Sequence, residues 1–264
     1  MHIQKTAGTT LHSILQRQVK ASEQLETNIY TRQNLPDTID RDVFSKMKII
    51  RGHFGFEIKQ YTDHKRPEFI TILREPLDRC ISNYYYIRKR RALYQQDLNK
   101  KHIGSLEDIL DAKKYIFMDN LQVRLISGNL KAPYGSVDQL MLEQAKHNME
   151  HYFSLTGIQE EFDAFIVLLT KMYDLRLPYY RQHRKTEGRA TVQEIAPAIQ
   201  QRILELNKYD TALYAFAKER FEKSKLTYGS DFPKDLAAFR RQNNLISTLI
   251  NWIPFYHKTV KDMD

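Results

Sequence analysis

The residue types best suited to chemistry stand near the start of the sequence, in Gln4-Lys5-Thr6-Ala7-Gly8-Thr9-Thr10. A small glycine-containing turn at the head of a helix gathers backbone N–H groups into an anion nest. Lys5 adds a point charge, and Thr9 and Thr10 add hydroxyl donors. This is not the nucleoside-triphosphate loop G-x-x-x-x-G-K-[ST], because here the lysine precedes the glycine. Taken alone, the stretch reads as either an anion loop or a plain strand-to-helix turn.

A second stretch is Leu73-Arg74-Glu75-Pro76-Leu77-Asp78-Arg79-Cys80-Ile81-Ser82. Arg74 follows an apolar run, Pro76 suits the first position of a helix, and Ser82 lies further along that helix. An arginine at a strand end and a serine on the next helix can hold one phosphate together, the arginine by a charge-assisted pair. Arg79 reads as either a surface salt-bridge partner or a functional cation. A third stretch is Ile50-Arg51-Gly52-His53-Phe54-Gly55. A lone histidine is usually structural. One placed between glycines beyond a strand is a candidate base, since a neutral imidazole can take a proton from a hydroxyl.

The elements that must position these residues alternate in type. Short β-like runs occur at residues 2–4, 28–31, 48–50, 69–73 and 152–156. Helical patterns lie between them, which predicts α/β architecture with a parallel sheet and helices on both faces. The run Phe69-Ile70-Thr71-Ile72-Leu73 is apolar at nearly every position, as a strand buried on both faces should be. In an open parallel sheet, ligands bind beyond the carboxyl ends of the strands, where Arg74 and His53 would then stand. Helices are predicted over residues 76–91, 159–173 and 199–223. In the second, Phe162, Phe165, Ile166 and Leu169 share a face; in the third, Ile203, Leu206, Leu213, Phe216 and Phe221 do. Residues 178–189 read as a polar loop. The apolar cluster at residues 249–255 reads as a segment that docks on the core or on another subunit, with membrane contact the lesser alternative.

The chain has 264 residues, a formal charge of +9 and 42% hydrophobic residues. It is long enough for a sizeable core. A basic surface favours anionic partners, but the 41 basic residues are spread along the whole chain and choose none of them. No apolar run has the length of a membrane-spanning helix. Cys80 is the single cysteine, so no intramolecular disulfide can form. With no apolar leader before Lys5, these features predict a cytoplasmic protein. His147 and His183 have no partners at metal-ligand spacing.

Together the three stretches resemble the heparan sulfate 2-O- and 6-O-type sulfotransferases and their bacterial relatives. His2 to Thr10 resembles that family's His-Ile-x-Lys-Thr-(Gly/Ala)-Gly-Thr-Thr loop. Gly52-His53-Phe54 resembles its Gly-His-(Phe/Val) element, and Leu73 to Ser82 its Leu-Arg-(Glu/Asp)-Pro-x-x-Arg-x-x-Ser element. Supporting pieces are Asp119-Asn120-Leu121-Gln122-Val123-Arg124, Gly157-Ile158-Gln159-Glu160-Glu161-Phe162-Asp163, and Leu206-Asn207-Lys208-Tyr209-Asp210 with Leu213-Tyr214. The resemblance covers most of residues 2–224. It implies a P-loop-like three-layer fold with a helix-rich C-terminal half. It implies one domain over residues 1–264, with a core to 230 and a helical extension from 231.

The resemblance also implies roles. Lys5, Thr6, Gly8, Thr9 and Thr10 would bind the 5'-phosphosulfate of 3'-phosphoadenosine 5'-phosphosulfate (PAPS), and Lys5 would steady the bridging oxygen. Arg74 and Ser82 would hold the 3'-phosphate, and His53 would be the general base. Arg184 or Lys185 would close over the nucleotide, or else belong to a solvated loop. Gln122 and Arg124 would face the acceptor, a carbohydrate or other hydroxyl compound and possibly an acidic one; Gln122 reads equally as a structural amide. No metal is implied, since a sulfuryl group carries less charge than a phosphoryl group.

Three rivals are weighed against this reading. A P-loop kinase needs a lysine after the glycine and a Walker-type aspartate, and the strand ending in Arg74-Glu75 has none. A nucleic-acid binder would use Arg88-Lys89-Arg90-Arg91 beside Tyr84-Tyr85-Tyr86, a run more often a solvated helix face, and no nucleic acid is expected as a partner. An inactive binding protein of the same fold would not need Lys5, His53, Arg74 and Ser82 together.

Overall fold

The chain keeps its parallel strands in two pairs. In the computed structural model, which describes residues 1–28, 45–62, 66–89, 104–181 and 188–251, β1 (Gln24–Asn28) pairs with β2 (Ile49–His53). In the same way β3 (Phe69–Leu73) pairs with β4 (Phe153–Ile158). Gly52 in β2 has φ 138°, and a Cβ there would stand 1.7 Å from the Thr27 carbonyl oxygen, so this strand approach requires glycine. Strand β3 is buried at four of its five positions, as its apolar run predicts.

The N-terminal segment joins the two pairs. The Met1 amino group donates to the Ile70 carbonyl of β3 at 3.0 Å, and the His2 amide donates to the Gly52 carbonyl of β2 at 2.8 Å. Ile3 is fully buried beneath them. The expected first strand is thus an extended bridge of bonds to both neighbours, with no strand ladder of its own. The strand expected at residues 28–31 lies earlier, and residues 29–31 fall outside the described residues. So do Arg90, Arg91, His183, Arg184, Lys185 and residues 252–255.

Ten α-helices lie among the described residues: α1 (Gly8–Leu15), α2 (Lys59–Thr62), α3 (Pro76–Lys89), α4 (Leu106–Asp111), α5 (Leu121–Ser127), α6 (Gln139–Tyr152), α7 (Phe162–Tyr173), α8 (Pro197–Leu206), α9 (Lys208–Tyr228) and α10 (Phe232–Asn251). The main core gathers Ile14, Leu73, Leu155, Phe165, Leu213 and Phe221 between strands and helices. Phe232 and Phe239 bring α10 into that same core. A second cluster under α3 holds Cys80, Ile81, Ile109, Met118 and Ile203. Among the described residues no helix is long and apolar enough to cross a membrane.

One predicted helix is two. The pattern over residues 199–223 is interrupted at Asn207, which leaves helical geometry at φ −108°, ψ 27°. Its buried side chain donates to the Met118 carbonyl at 2.8 Å and accepts from the Asn120 amide at 3.0 Å. Apolar periodicity continues across the break because α8 and α9 both pack inward, so the break leaves no mark in the pattern.

Candidate functional site

The loop before α1 is shaped by two left-handed residues. Lys5 has φ 69° and Ala7 has φ 65°, an arrangement that costs roughly 1–2 kcal/mol per non-glycine residue. The Thr6 hydroxyl donates to the Ile3 carbonyl at 2.8 Å and staples the turn from inside. Thr9 is exposed on the first turn of α1, while Gly8 and Thr10 are buried. No acidic side chain stands in that turn, so its N–H dipoles face no competing carboxylate there.

Gly8 has a packing reason. A Cβ on it would lie 1.8 Å from Cδ2 of His2. That ring cannot step aside easily: it stacks on His53 with centroids 4.1 Å apart and meets the edge of His12 at 4.7 Å. Gly8→Ala is therefore expected to cost about 1–3 kcal/mol, the usual range for overpacking. Thermal unfolding measures this, and an unchanged melting temperature would show that the three rings move freely.

His53 ends β2, as the sequence predicts. Its Nδ1 lies 3.0 Å from the His2 carbonyl oxygen. A carbonyl only accepts, so Nδ1 carries the proton and Nε2 of the neutral ring holds the lone pair. Burial keeps the imidazole below its ordinary pKa, so it is neutral at pH 7. Burial also lowers His12, to about 3.

Arg74 ties the loop to α3. Its Nη1 donates to the Lys5 carbonyl at 2.9 Å, and its Nε donates to Asp78 Oδ2 at 2.8 Å. The backbone of Arg74 is clamped by Gln122, whose amide accepts from Arg74 N and donates to Arg74 O, both at 3.0 Å. The Lys5 ammonium lies 4.2 Å from the centre of the Tyr86 ring on α3. Ser82 is buried on the same helix, two turns beyond its start. Glu75 caps α3, its carboxylate accepting from the amides of Leu77 and Asp78.

Three expected residues sit elsewhere than the surface. Gln122 and Arg124 are fully buried. Arg124 donates to the Asp119 carboxylate, to the Asp119 carbonyl at 2.7 Å and to the Pro133 carbonyl at 2.8 Å. Their hydrogen bonds are made inside the fold, Gln122 in the structural part that the sequence equally allowed and Arg124 as a buried brace. Arg79 is not a surface residue either. It is fully buried, 3.9 Å from the equally buried Asp210 carboxylate.

The supporting motif pieces interlock around these residues. Asn120 Oδ1 accepts from the amides of Tyr209 and Asp210 at 3.0 Å. The Asp210 carboxylate accepts from Gln122 N at 3.1 Å and Val123 N at 2.8 Å. Glu160 accepts from Glu75 N and from the Tyr214 hydroxyl, both at 3.0 Å. Two residues the sequence reading did not single out also enter. Asp78 and Arg189 pair beside Arg74. Their 111-residue separation offers no spacing signal; only the charge of Arg189 at the end of a polar loop hints at it.

A cavity of about 980 Å³ shares His2, Thr6, Gly8 and His12 with the loop, but none of Lys5, His53, Arg74 or Ser82. Its remaining wall includes Leu11, Ile50, Ile72 and Leu169, so it backs the loop rather than gathering its charged groups.

Comparison with known proteins gives the class. The family model described as "Sulfotransferase family" matches residues 1–217, and the chain belongs to that family. The chain is similar to heparan sulfate 2-O-sulfotransferase 1 of Xenopus laevis, 26% identical over 188 residues that cover 65% of this chain and 52% of the relative. The Homo sapiens protein of that name is 24% identical over 247 residues, covering 83% and 69%. Heparin sulfate O-sulfotransferase of Drosophila melanogaster is 26% identical over 196 residues, covering 68% and 56%. The chain spans about half the length of the first of these. The match overturns the cytoplasmic expectation: the relatives are Golgi-lumenal enzymes. A single cysteine cannot pair within its own chain in either kind of compartment, so the part of that inference resting on Cys80 was weak.

Proposed function

We propose that this chain transfers a sulfuryl group from PAPS to a hydroxyl of a carbohydrate acceptor, on a P-loop-like three-layer scaffold. The observation that carries the reading is the bond from Arg74 to the Lys5 carbonyl, 69 residues away in sequence. It makes the loop and the Arg74 element two halves of one cationic site. The residues suit a doubly phosphorylated nucleotide. Lys5, Gly8, Thr9 and Thr10 would hold the 5' end at the helix N-terminus, and Arg74 and Ser82 the 3'-phosphate. The bound nucleotide supplies the sulfuryl group.

The chain supplies position and charge. Lys5 places a cation where negative charge grows on the oxygen that leaves sulfur. His53 takes the hydroxyl proton on Nε2, the nitrogen that does not face the His2 carbonyl. The imidazolium that forms keeps its Nδ1–H bond to that carbonyl. The names of the relatives support a sulfated polysaccharide as the acceptor class.

Titration calorimetry tests the nucleotide site. Adenosine 3',5'-bisphosphate is expected to bind more tightly than adenosine 5'-phosphate. Arg74→Ala is expected to weaken the bisphosphate by about 1.5–3 kcal/mol, the value of a charge-assisted bond. Equal affinity of the two nucleotides for the wild-type chain would remove Arg74 and Ser82 from the 3'-phosphate.

A further inference from the structure

The Arg74 site already contains an anion of its own. Asp78 divides its two carboxylate oxygens between two guanidinium groups. Arg74 donates to Oδ2 through Nε at 2.8 Å and also through Nη2, and Arg189 donates to Oδ1. Arg189 also donates to the Asp78 carbonyl at 3.2 Å, and its Nε is buried without a partner among the described residues. Burial and the nearby Arg74 charge lower Arg189 to about 10, a sign that the two cations crowd each other. The other carboxylates near Arg74, Glu75 and Glu160, act on its charge through space while their hydrogen bonds go elsewhere. Glu75 accepts backbone amides of α3, and Glu160 accepts from the Glu75 amide and the Tyr214 hydroxyl. Asp78 is thus the carboxylate in direct contact with both guanidinium groups.

The position of Asp78 matters as much as its charge. Asp78, Ser82 and Tyr86 stand four residues apart on α3 and so share one helix face. Tyr86 carries the Lys5 ammonium at 4.2 Å. A phosphate shared by Arg74 and Ser82 lies on this stripe and needs the N–H groups that Asp78 holds. A carboxylate and a phosphate side by side repel each other in a partly desolvated site, so the two compete.

We propose that Arg189 is a second cationic arm of the 3'-phosphate subsite, and that Asp78 is a built-in competitor for it. Asp78 holds the two arginines together before nucleotide binds and returns to them as the bisphosphate leaves. The proposal rests on Arg74 meeting the 3'-phosphate. Its chemical logic is release. The bisphosphate product keeps both phosphates of the donor, so contacts that bind the donor firmly also retain the product. A carboxylate tethered beside the subsite is present at high effective concentration, which lowers affinity for both and speeds departure.

Calorimetry and stopped-flow displacement on the full chain test this with Asp78→Asn, Arg189→Gln and the double variant. Asp78→Asn is expected to bind adenosine 3',5'-bisphosphate roughly tenfold more tightly, mainly through slower dissociation, because the charged bonds of two arginines are released to the ligand. Its affinity for adenosine 5'-phosphate is expected to stay at the wild-type value. Arg189→Gln is expected to weaken only the bisphosphate and to shrink the gain from Asp78→Asn in the double variant. Weaker or unchanged bisphosphate binding by a folded Asp78→Asn chain, judged by its melting curve, overturns the competitor role. A full gain in the double variant overturns the role of Arg189. A wild-type chain that does not distinguish the two nucleotides defeats the Arg74 reading itself, and this proposal with it.

Discussion

Asp210→Ala is expected to destabilise the chain by about 3–5 kcal/mol, the cost of leaving one member of a buried ion pair without the other. Arg79 and Asp210 are both fully buried. Without the carboxylate, the Arg79 guanidinium keeps, among the described residues, only the Phe117 carbonyl at 3.1 Å and the Cys80 sulfur at 3.2 Å. Its Nε already has no partner among the described residues. The amides of Gln122 and Val123 lose their acceptor at the same time. For a chain of this size the loss corresponds to a fall of roughly 6–20 °C in Tm. Asp210→Asn keeps an acceptor but drops the charge, and is expected to fall between the alanine variant and the wild type. Asp210 also bears on the proposed nucleotide site, because it holds the Gln122 amide and Gln122 clamps the backbone of Arg74. Bisphosphate affinity is therefore expected to fall in a folded Asp210→Asn chain. A loss of less than about 1 kcal/mol in the alanine variant would show that Arg79 is satisfied without its partner.

The contrast between what the sequence disclosed and what it hid follows the range of the forces involved. Strand β3 and the start of α3 were legible because local rules decide them: an unbroken apolar run, then a proline at the first helical turn. His53 at the end of β2 and the glycine-containing turn before α1 were legible for the same reason. The break at Asn207 was not. It is made by bonds to Met118 and Asn120, more than 80 residues away, while the apolar periodicity runs on undisturbed. Gln122 takes the structural part that the sequence equally allowed, while the burial of Arg124 could not be read locally, because polar residues inside a motif look like ligand contacts. Here the motif is scaffold: Arg124 braces the turn at residues 132–133 and Gln122 fixes Arg74. Arg79 misled in the other direction, since an isolated arginine reads as surface until the buried Asp210 is found. The first strand was hard to read because its bonds go to Gly52 and Ile70 on two different neighbours.

His53→Ala is expected to lower turnover by roughly 10²–10⁴-fold, the range for loss of a general base, with little change in bisphosphate affinity. The split follows from where the ring is held. Its Nδ1 is engaged by the His2 carbonyl, and the proposed mechanism assigns Nε2 to the acceptor hydroxyl rather than to the nucleotide. Burial depresses the imidazole pKa below 6.5. A depressed base is unprotonated at neutral pH and loses activity only as pH falls through its folded-state value. The acid limb of the wild-type rate profile is therefore expected below pH 6.5 and is expected to vanish in His53→Ala. Lys5→Ala is expected to weaken binding and turnover together, because its charge serves both. The competing account gives His53 a purely structural part, stacked on His2 and holding the loop. On that account His53→Asn keeps most of the activity, and His53→Ala mainly lowers the melting temperature. Single-turnover rates across pH, taken beside melting curves and bisphosphate affinities, separate the two. A folded His53→Ala chain with near-wild-type turnover and an intact acid limb would move the base elsewhere. Glu75 then becomes the next group to test, because burial raises its carboxyl pKa and it stands directly after Arg74.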